Sequence, residues 1–207
     1  VLAMAHPFHA GAAGRAEHVV VVVWDGLRPD FVRAQYTPTL SALASQGAFF
    51  PRHHSSFVTS TEVNGTVLAT GVYPGHSGVL ANVQYRPELS WLGTYGTESL
   101  DAIRRGDLLS GGHYLQAATV AEILQSAGIP TIAAGAKPVV LLHDRAAEKT
   151  TPAQKDSVTL FRGACLPRTV LATLTNTPGV GPFPAEPGKP DSTPEWILYG
   201  MRKGRDK

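Results

Sequence analysis

Five consecutive valines are the feature that most constrains what this chain can fold into. They occupy residues 19–23, between His18 and Trp24. β-Branched residues favour extended backbone, and an apolar run without polar alternation is typical of a parallel strand buried on both faces. Such a strand needs neighbouring strands and helices over both faces. The run therefore predicts an α/β sheet with residues 18–24 as a central strand and Asp25 at its carboxyl end, where open sheets bind ligands.

Helix and strand signals alternate along the rest of the chain. Thr37-Pro38 predicts the start of a helix that Gly47 ends. A second helix is predicted from near Thr61 to about Thr70, ended by Gly71, and Thr119 with Glu122 forms a capping box before a third. Shorter apolar runs predict strands at residues 48–50, 129–134, 139–142 and 157–161. Short helices are predicted at residues 170–174 and 195–203, and irregular loops at residues 71–113. The alternation predicts a three-layer α/β/α sandwich with a mostly parallel sheet.

Composition narrows the class of protein. The 207 residues carry a net charge of +2, which is too small to indicate nucleic acid or a membrane surface as a partner. The one cysteine, Cys165, indicates a small buried side chain. Residues 1–17 resemble the remnant of a signal peptide, which predicts a secreted or periplasmic protein. Residues 18–177 are predicted to form one α/β domain, and residues 178–207 a proline-rich loop and C-terminal tail.

Hydroxyl groups cluster immediately before the predicted helix at Thr61. Thr59, Ser60 and Thr61 stand in a row there. One interpretation is a helix cap with spare hydroxyls. The other is a phosphate site, because free N–H groups at a helix N-terminus attract anions and a hydroxyl there can serve as a nucleophile.

Two more polar residues stand beside predicted turns. Asp25 is followed by Gly26, which is typical of a simple turn, but a carboxylate there can also hold a divalent cation. Asn82 ends a Gly-rich segment and offers an amide donor suited to a phosphoryl oxygen. Each signal allows both a structural and a functional interpretation.

Taken together, these segments resemble the type I phosphodiesterase/nucleotide pyrophosphatase family of the alkaline phosphatase superfamily. The resemblance is carried by Asp25-Gly26 with Arg28 and Asp30, by Tyr36-Thr37-Pro38-Thr39-Leu40, by residues 47–50 and 57–71, and by Thr70-Gly71-Val72-Tyr73-Pro74. The intervals also look like the family's: 36 residues from Asp25 to Thr61 and 21 from Thr61 to Asn82. A weaker resemblance continues from residue 119 to residue 145, through Gly135-Ala136-Lys137-Pro138.

The resemblance implies an alkaline phosphatase-like fold and a two-metal hydrolase. Thr61 would be the nucleophile and a metal ligand, Asp25 a ligand of the same metal, and Asn82 the donor to a phosphate oxygen. Two divalent ions, most consistent with Zn²⁺, would assist. The family's Phe-Pro-Asn-His after the nucleophile is here Glu62-Val63-Asn64-Gly65, so Glu62 would line the substrate pocket and the preference for nucleotides stays open. Thr59 and Ser60 remain alternative nucleophiles.

The family's later metal ligands have no counterpart in this sequence. They are an Asp-x-x-x-His, an Asp-His and a distant His, whereas the chain offers only His143-Asp144 in the reverse order and no histidine after it. We therefore expect a domain truncated at its C-terminus, with an incomplete metal site and little activity alone. Two alternatives stay open: a phosphomonoesterase of the same superfamily, and a non-catalytic α/β domain that binds phosphate groups. The expected ligand is a phosphate ester or nucleotide-like molecule.

Overall fold

The structure is a computed structural model, and it describes residues 16–145, 151–161 and 164–177. The chain divides into two compact units after Pro51. Both the predicted leader before residue 16 and the predicted helix at residues 195–203 lie outside the described residues. Within the described ranges, none of the helices combines the length and the apolar character needed to cross a membrane.

The first unit does not contain the predicted central strand. Residues 18–24 are assigned to no strand and pair with none of the described strands, and the exposed fractions of the five valines lie between 57% and 81%. Residues 48–50 likewise form no strand. Both predictions were wrong because β-branched and aromatic runs favour extended backbone, whereas a strand also needs a hydrogen-bonding neighbour that sequence pattern does not supply.

A turn, a short 3₁₀ segment at Pro29–Phe31 and one α-helix complete the described part of the first unit. The N–H of Leu27 donates to the carbonyl of Trp24 at 3.2 Å, and Gly26 has φ +80°, a conformation that favours glycine. Helix α1 spans Pro38–Gln46 and is followed by Gly47, as predicted. Thr37 stands at the N-cap position, but its hydroxyl donates to the carbonyl of Phe31 instead of capping the helix.

The second unit is a mixed α/β structure. Its helices are α2 (Thr61–Thr70), α3 (Pro74–Ser77), α4 (Leu100–Ser110), α5 (Val120–Ser126), α6 (Pro152–Asp156) and α7 (Val170–Thr175). Strands β1 (Val83–Gln84) and β2 (Tyr95–Gly96) pair antiparallel. Strands β3 (Ile132–Gly135) and β4 (Val158–Phe161) pair parallel, and β5 (Ala164–Leu166) adds to β4 antiparallel. The α/β class is thus confirmed, whereas these two small sheets do not amount to the sandwich or to a mostly parallel sheet.

Two predictions about the second unit were wrong, and two elements were missed. Residues 71–113 are not simply loops, because they contain α3, the β1–β2 pair and α4. Residues 139–142 form a 3₁₀ helix, Pro138–Leu142, instead of a strand, since Pro138 favours a helical first turn and supplies no N–H to a sheet. Helix α6 and strand β5 were not predicted. Helices α2, α5 and α7 and strands β3 and β4 confirm their predictions, with shifts of a few residues.

One hydrophobic core lies behind α2. Its buried side chains come from α2, α4, the 3₁₀ helix and the connecting loops: Val63, Val79, Leu89, Ile103, Tyr114, Leu115, Leu141 and Leu142. Since Val63 is fully buried, the first turn of α2 is anchored by packing as well as by hydrogen bonds. A smaller cluster, Leu160, Cys165 and Leu174, lies between the sheet and α7.

Candidate active site

Helix α2 begins at Thr61, where the sequence predicted its start. Ser60 is the N-cap, with extended backbone (φ −111°, ψ 156°), and the N–H of Asn64 donates to its carbonyl at 3.0 Å. Gly71 ends the helix with φ +70°, which allows the chain to leave in a left-handed turn. Thr61 is therefore the first helical residue, at the positive end of a ten-residue helix.

The loop that leads into Thr61 is held by Asn64. The Asn64 carbonyl oxygen, Oδ1, accepts from the N–H of Ser56 at 2.8 Å. Its amide nitrogen donates to the carbonyls of Ser56, Val58 and Ser60 at 3.1–3.3 Å. One side chain thus fixes the backbone immediately before the predicted nucleophile. Sequence reasoning missed this role, because an Asn inside a helix carries no signal of contacts with the preceding loop.

The first turn of α2 receives its cap from a distant residue. Ser60 makes no side-chain capping hydrogen bond, and its hydroxyl oxygen is buried without a partner among the described residues. Asn82 Oδ1 instead accepts from the N–H of Glu62 at 3.2 Å, across 20 residues of sequence. This contact brings Asn82 to the turn that begins at Thr61. It also orients the Asn82 amide, because the oxygen faces the helix and the nitrogen becomes the donor end.

Asn82 is in turn held by buried residues after β2. The carbonyl of Asn82 accepts from both the N–H and the hydroxyl of Thr97, at 2.9 and 3.1 Å. The Tyr114 hydroxyl donates to the Thr97 carbonyl at 2.7 Å, and both side chains are almost fully buried. Buried core residues therefore hold the backbone of Asn82, and with it the amide donor, in position.

Glu62 lies in the same turn and contacts a second carboxyl group. Glu62 is 6% exposed, and its carboxyl lies near enough to that of the half-buried Glu98 to influence its pKa. Burial, together with the Glu62 carboxyl, raises the pKa of Glu98 to about 7, although the Val139 N–H and the nearby Lys137 charge act in the opposite direction. A buried acid pair stands beside the predicted nucleophile. Sequence reasoning named Glu62 but missed Glu98, which lies 36 residues further along the chain.

Gly65 lets the 3₁₀ helix pack closely against α2. A Cβ atom at Gly65 would lie 2.6 Å from Val139 Cγ2 and 3.8 Å from His143 Nε2. Burial lowers the pKa of His143, so its imidazole is held toward the neutral form. The family's Asn-His at these positions is here Asn-Gly, and the missing side chain provides the space that the 3₁₀ helix occupies.

The structure therefore brings together three of the four predicted site residues: Thr61, Glu62 and Asn82. Asp25 is exposed and belongs to the other compact unit, so its sharing of a metal with Thr61 stays a prediction. Within the described ranges, no three His, Cys, Asp or Glu side chains form a group able to hold a metal ion. The alternative nucleophiles, Thr59 and Ser60, lie in the loop that Asn64 holds.

Comparison with known proteins identifies the family of the chain. The family model for type I phosphodiesterase / nucleotide pyrophosphatase matches residues 19–158, about two thirds of the chain. An uncharacterized pyrophosphatase/phosphodiesterase of Schizosaccharomyces pombe is 33% identical over 69 residues, which are 33% of this chain and 14% of the relative. No solved structure shows significant similarity. The span and placement of the family match show that the chain belongs to the type I phosphodiesterase/nucleotide pyrophosphatase family.

Proposed function

We propose that the protein hydrolyses phosphodiester or pyrophosphate bonds through a phospho-threonine intermediate on Thr61. The observation that carries the proposal is the hydrogen bond from the Glu62 N–H to Asn82 Oδ1, since it joins the predicted oxyanion donor to the turn that starts with the predicted nucleophile. The family model supports the reaction class. The substrate would be a phosphate ester or a nucleotide-like molecule.

The chemistry follows from what a helix N-terminus offers a phosphate. Its positive potential favours a phosphoryl group beside Thr61. The Thr61 oxygen attacks phosphorus while its proton passes to water, and the bond to the leaving alcohol or phosphate breaks, so that the leaving oxygen departs with the electron pair and takes up a proton from solvent where it needs one. The Asn82 amide donates to the oxygen on which negative charge develops. Water then hydrolyses the phospho-threonine and restores the hydroxyl.

Only the family supports the presence of metal ions in this proposal. The family is typically metal-dependent, and two divalent ions, with zinc as the proposed metal, would stabilise the attacking and leaving oxygens. Asp25 and Thr61 would supply one carboxylate and one hydroxyl. Those two donors fall short of the four that a tetrahedral zinc ion takes, so the residues present do not fit a complete site and we assign no step to the metal.

Other parts of the sequence-based expectation also remain proposals. They are the alkaline phosphatase-like sandwich, the incomplete metal site of the chain alone, and export to a secreted or periplasmic location. The sandwich and the incomplete metal site rest on the family resemblance, and the export rests on residues 1–17. The activity proposed above is that of the full-length protein.

A phosphate-binding domain without turnover is the second candidate. It is favoured by the same N-terminus of α2, because a cap supplied by Asn82 and a row of hydroxyls would hold phosphate even without chemistry. A phosphomonoesterase would differ in substrate class only. Turnover of diesters and of monoesters, measured side by side with zinc, separates the three.

The experiment removes the nucleophile. In the full-length protein with zinc, Thr61→Ala should reduce hydrolysis of bis(p-nitrophenyl) phosphate by roughly 10⁴-fold or more, the scale for losing a covalent acceptor. Mass spectrometry of the quenched wild type should find the phosphoryl group on Thr61. Thr59→Ala and Ser60→Ala are the matched controls and should keep most activity. If one of them abolishes turnover while Thr61→Ala does not, the nucleophile is assigned to the wrong residue.

A further inference from the structure

A threonine directly after β2 carries a hydroxyl group into the interior of the second unit. The Thr97 side chain is fully buried, and its hydroxyl lies within hydrogen-bonding distance of two successive carbonyls, that of Ala81 at 2.9 Å and that of Asn82 at 3.1 Å. The Thr97 N–H donates to the Asn82 carbonyl as well, at 2.9 Å. A hydroxyl that loses contact with water needs such acceptors. The buried hydroxyl is therefore matched to the backbone of residues 81 and 82.

These contacts fix Asn82 from both sides. The Ala81 carbonyl belongs to the peptide group before Asn82, and the Asn82 carbonyl belongs to the peptide group after it. The pairing of β1 with β2 comprises only two residue pairs and begins with Val83 opposite Gly96. Residues 82 and 97 come next in that register, so the Thr97 hydroxyl adds a constraint where the short ladder ends. The two peptide groups set the direction in which the Asn82 side chain leaves the backbone.

Tyr114 holds Thr97 from the opposite side. The Tyr114 hydroxyl donates to the Thr97 carbonyl at 2.7 Å, and the tyrosine is 1% exposed. Its own N–H donates to Asp107 Oδ1 in α4 at 3.1 Å. The ring packs against the same helix, because a Cβ atom at Gly106 would lie 2.3 Å from Tyr114 Cδ2. A chain of hydrogen bonds thus connects α4 with the backbone of Asn82.

The geometry points to Thr97 as a positioning residue for the oxyanion donor, with Tyr114 holding Thr97 in turn. Asn82 Oδ1 accepts from the N–H of Glu62 at 3.2 Å, which leaves Asn82 Nδ2 as the donor to a phosphoryl oxygen. A shift of the residue 82 backbone moves that nitrogen, and a hydrogen bond weakens steeply with poor distance or angle. Thr97 therefore acts on the reaction through Asn82. This inference rests on the proposed function, because the donor role of Asn82 is part of it.

The test compares two substitutions at one position. Thr97→Val keeps the shape of the side chain and removes the hydroxyl, whereas Thr97→Ser keeps the hydroxyl. In the full-length protein with zinc, Thr97→Val should lower kcat for bis(p-nitrophenyl) phosphate by on the order of tenfold and leave KM within about twofold, because an oxyanion donor acts in the transition state. Thr97→Ser should keep kcat within about threefold of the wild type. Tyr114→Phe removes the next hydroxyl, should lower kcat in the same way, and serves if Thr97→Val does not fold.

A buried hydroxyl elsewhere in the second unit supplies the matched control. Ser157 is fully buried beside β4; its hydroxyl donates to the Ala153 carbonyl at 2.7 Å and accepts from the Thr131 N–H at 2.9 Å. Ser157→Ala should lose stability, as Thr97→Val does, but keep the wild-type kcat. Urea unfolding of the two variants separates the loss of stability from the loss of turnover.

A double-mutant cycle with Asn82 adds a readout that a merely structural role would not change. In the Asn82→Ala background the donor is absent, so Thr97→Val should cause no further loss of kcat. The inference is overturned if Thr97→Val lowers kcat equally in both backgrounds or leaves the wild-type kcat unchanged. It is also overturned if Thr97→Ser is as impaired as Thr97→Val.

Hydrogen exchange measured by NMR judges the same contact without any activity. The Glu62 N–H donates to Asn82 Oδ1, so its exchange with deuterium reports whether the Asn82 side chain stays in place. This amide should exchange several-fold faster in Thr97→Val, whereas Thr97→Ser and Ser157→Ala should match the wild type. If the wild type hydrolyses no phosphodiester, the proposed function fails and this comparison decides alone. Equal exchange in Thr97→Val and the wild type would then reject the positioning role, and faster exchange would support it.

Discussion

Two helices of the second unit begin in contrasting ways. Helix α5 begins with a complete capping box: the Thr119 hydroxyl accepts from the Glu122 N–H at 3.2 Å, and the Glu122 carboxylate accepts from the Thr119 N–H at 2.7 Å. Helix α2 also starts beside hydroxyl residues and a glutamate, yet its capping oxygen comes from Asn82, and Glu62 turns to Glu98 instead. In α5, two side chains only three residues apart therefore cap the helix.

The difference separates a structural helix start from a candidate site. A capping box satisfies the first N–H groups with residues only three positions apart, and it needs nothing from the rest of the fold. At α2 the N–H of Glu62 is capped instead by Asn82, which lies 20 positions further along the chain. The residues at the positive end of this helix carry hydroxyl groups. Burial of Thr97 and Tyr114 makes that distant cap rigid. A cap supplied from elsewhere in the fold is therefore a useful sign of function.

Among the substitutions that test this contrast between helix starts, that of Asn82 has the largest expected effect. Asn82→Ala should lower turnover by about 10²–10³, the cost of losing one oxyanion donor, and should destabilise the protein by about 1 kcal/mol through loss of the cap. Asn82→Asp keeps an acceptor oxygen for the Glu62 N–H but has no amide donor, so it should lose activity and retain most stability. Steady-state kinetics and urea unfolding measure the two separately. If Asn82→Ala keeps full turnover, Asn82 is a helix cap and not an oxyanion donor.

Substitution of Gly65 tests how far the start of α2 depends on close packing. A methyl group there would lie 2.6 Å from Val139 Cγ2, and overpacking of this kind costs about 1–3 kcal/mol. Alanine recovers up to about 1 kcal/mol of helix propensity, so Gly65→Ala should lose about 1–2 kcal/mol in urea unfolding. The matched control is Gly75→Ala in α3, where no atom lies within 4 Å of the added Cβ. Equal stabilities of the two variants would show that α2 tolerates displacement.

Substitution of Thr119 has the smallest expected effect. Thr119→Ala removes the local cap of α5 and should cost about 1 kcal/mol, with turnover unchanged. Thr119→Ser keeps the hydroxyl and should recover most of that loss. Thermal melting and the same diester assay are sufficient. A large loss of turnover in Thr119→Ala would contradict the division between a structural and a functional helix start.

Local signals in the sequence predicted the helices better than the sheet. The end of α2 follows from Gly71, since a left-handed turn depends on the local residue, and the hydroxyl residues before Thr61 indicated its start although the capping oxygen comes from Asn82. Helix α4 was missed because Gly106 interrupts its pattern. A Cβ atom there would lie 2.3 Å from Tyr114 Cδ2, so glycine is required by a contact with a residue outside the helix. The valine run fixes extended backbone but not a partner strand.

The candidate site was predicted in part. Resemblance located Thr61, Glu62 and Asn82, but only the structure shows that Asn82 reaches the first turn of α2. Glu98 could not have been found from sequence pattern, because two carboxyl groups that approach one another only in the fold follow no periodicity and lie far apart in the chain. Lys137 belongs to the Gly135-Ala136-Lys137-Pro138 segment of the resemblance, and the structure gives it a place beside Glu98.

The four hydrogen bonds of Asn64 have a consequence for ligand binding. Because one side chain of α2 bonds to Ser56, Val58 and Ser60, this loop is ordered for as long as the helix is folded. A segment that must become ordered around its ligand loses conformational entropy on association, which weakens binding. Here that entropy was already lost when the chain folded. If phosphate binds beside Thr61 as proposed, it meets a surface that needs no rearrangement of this loop.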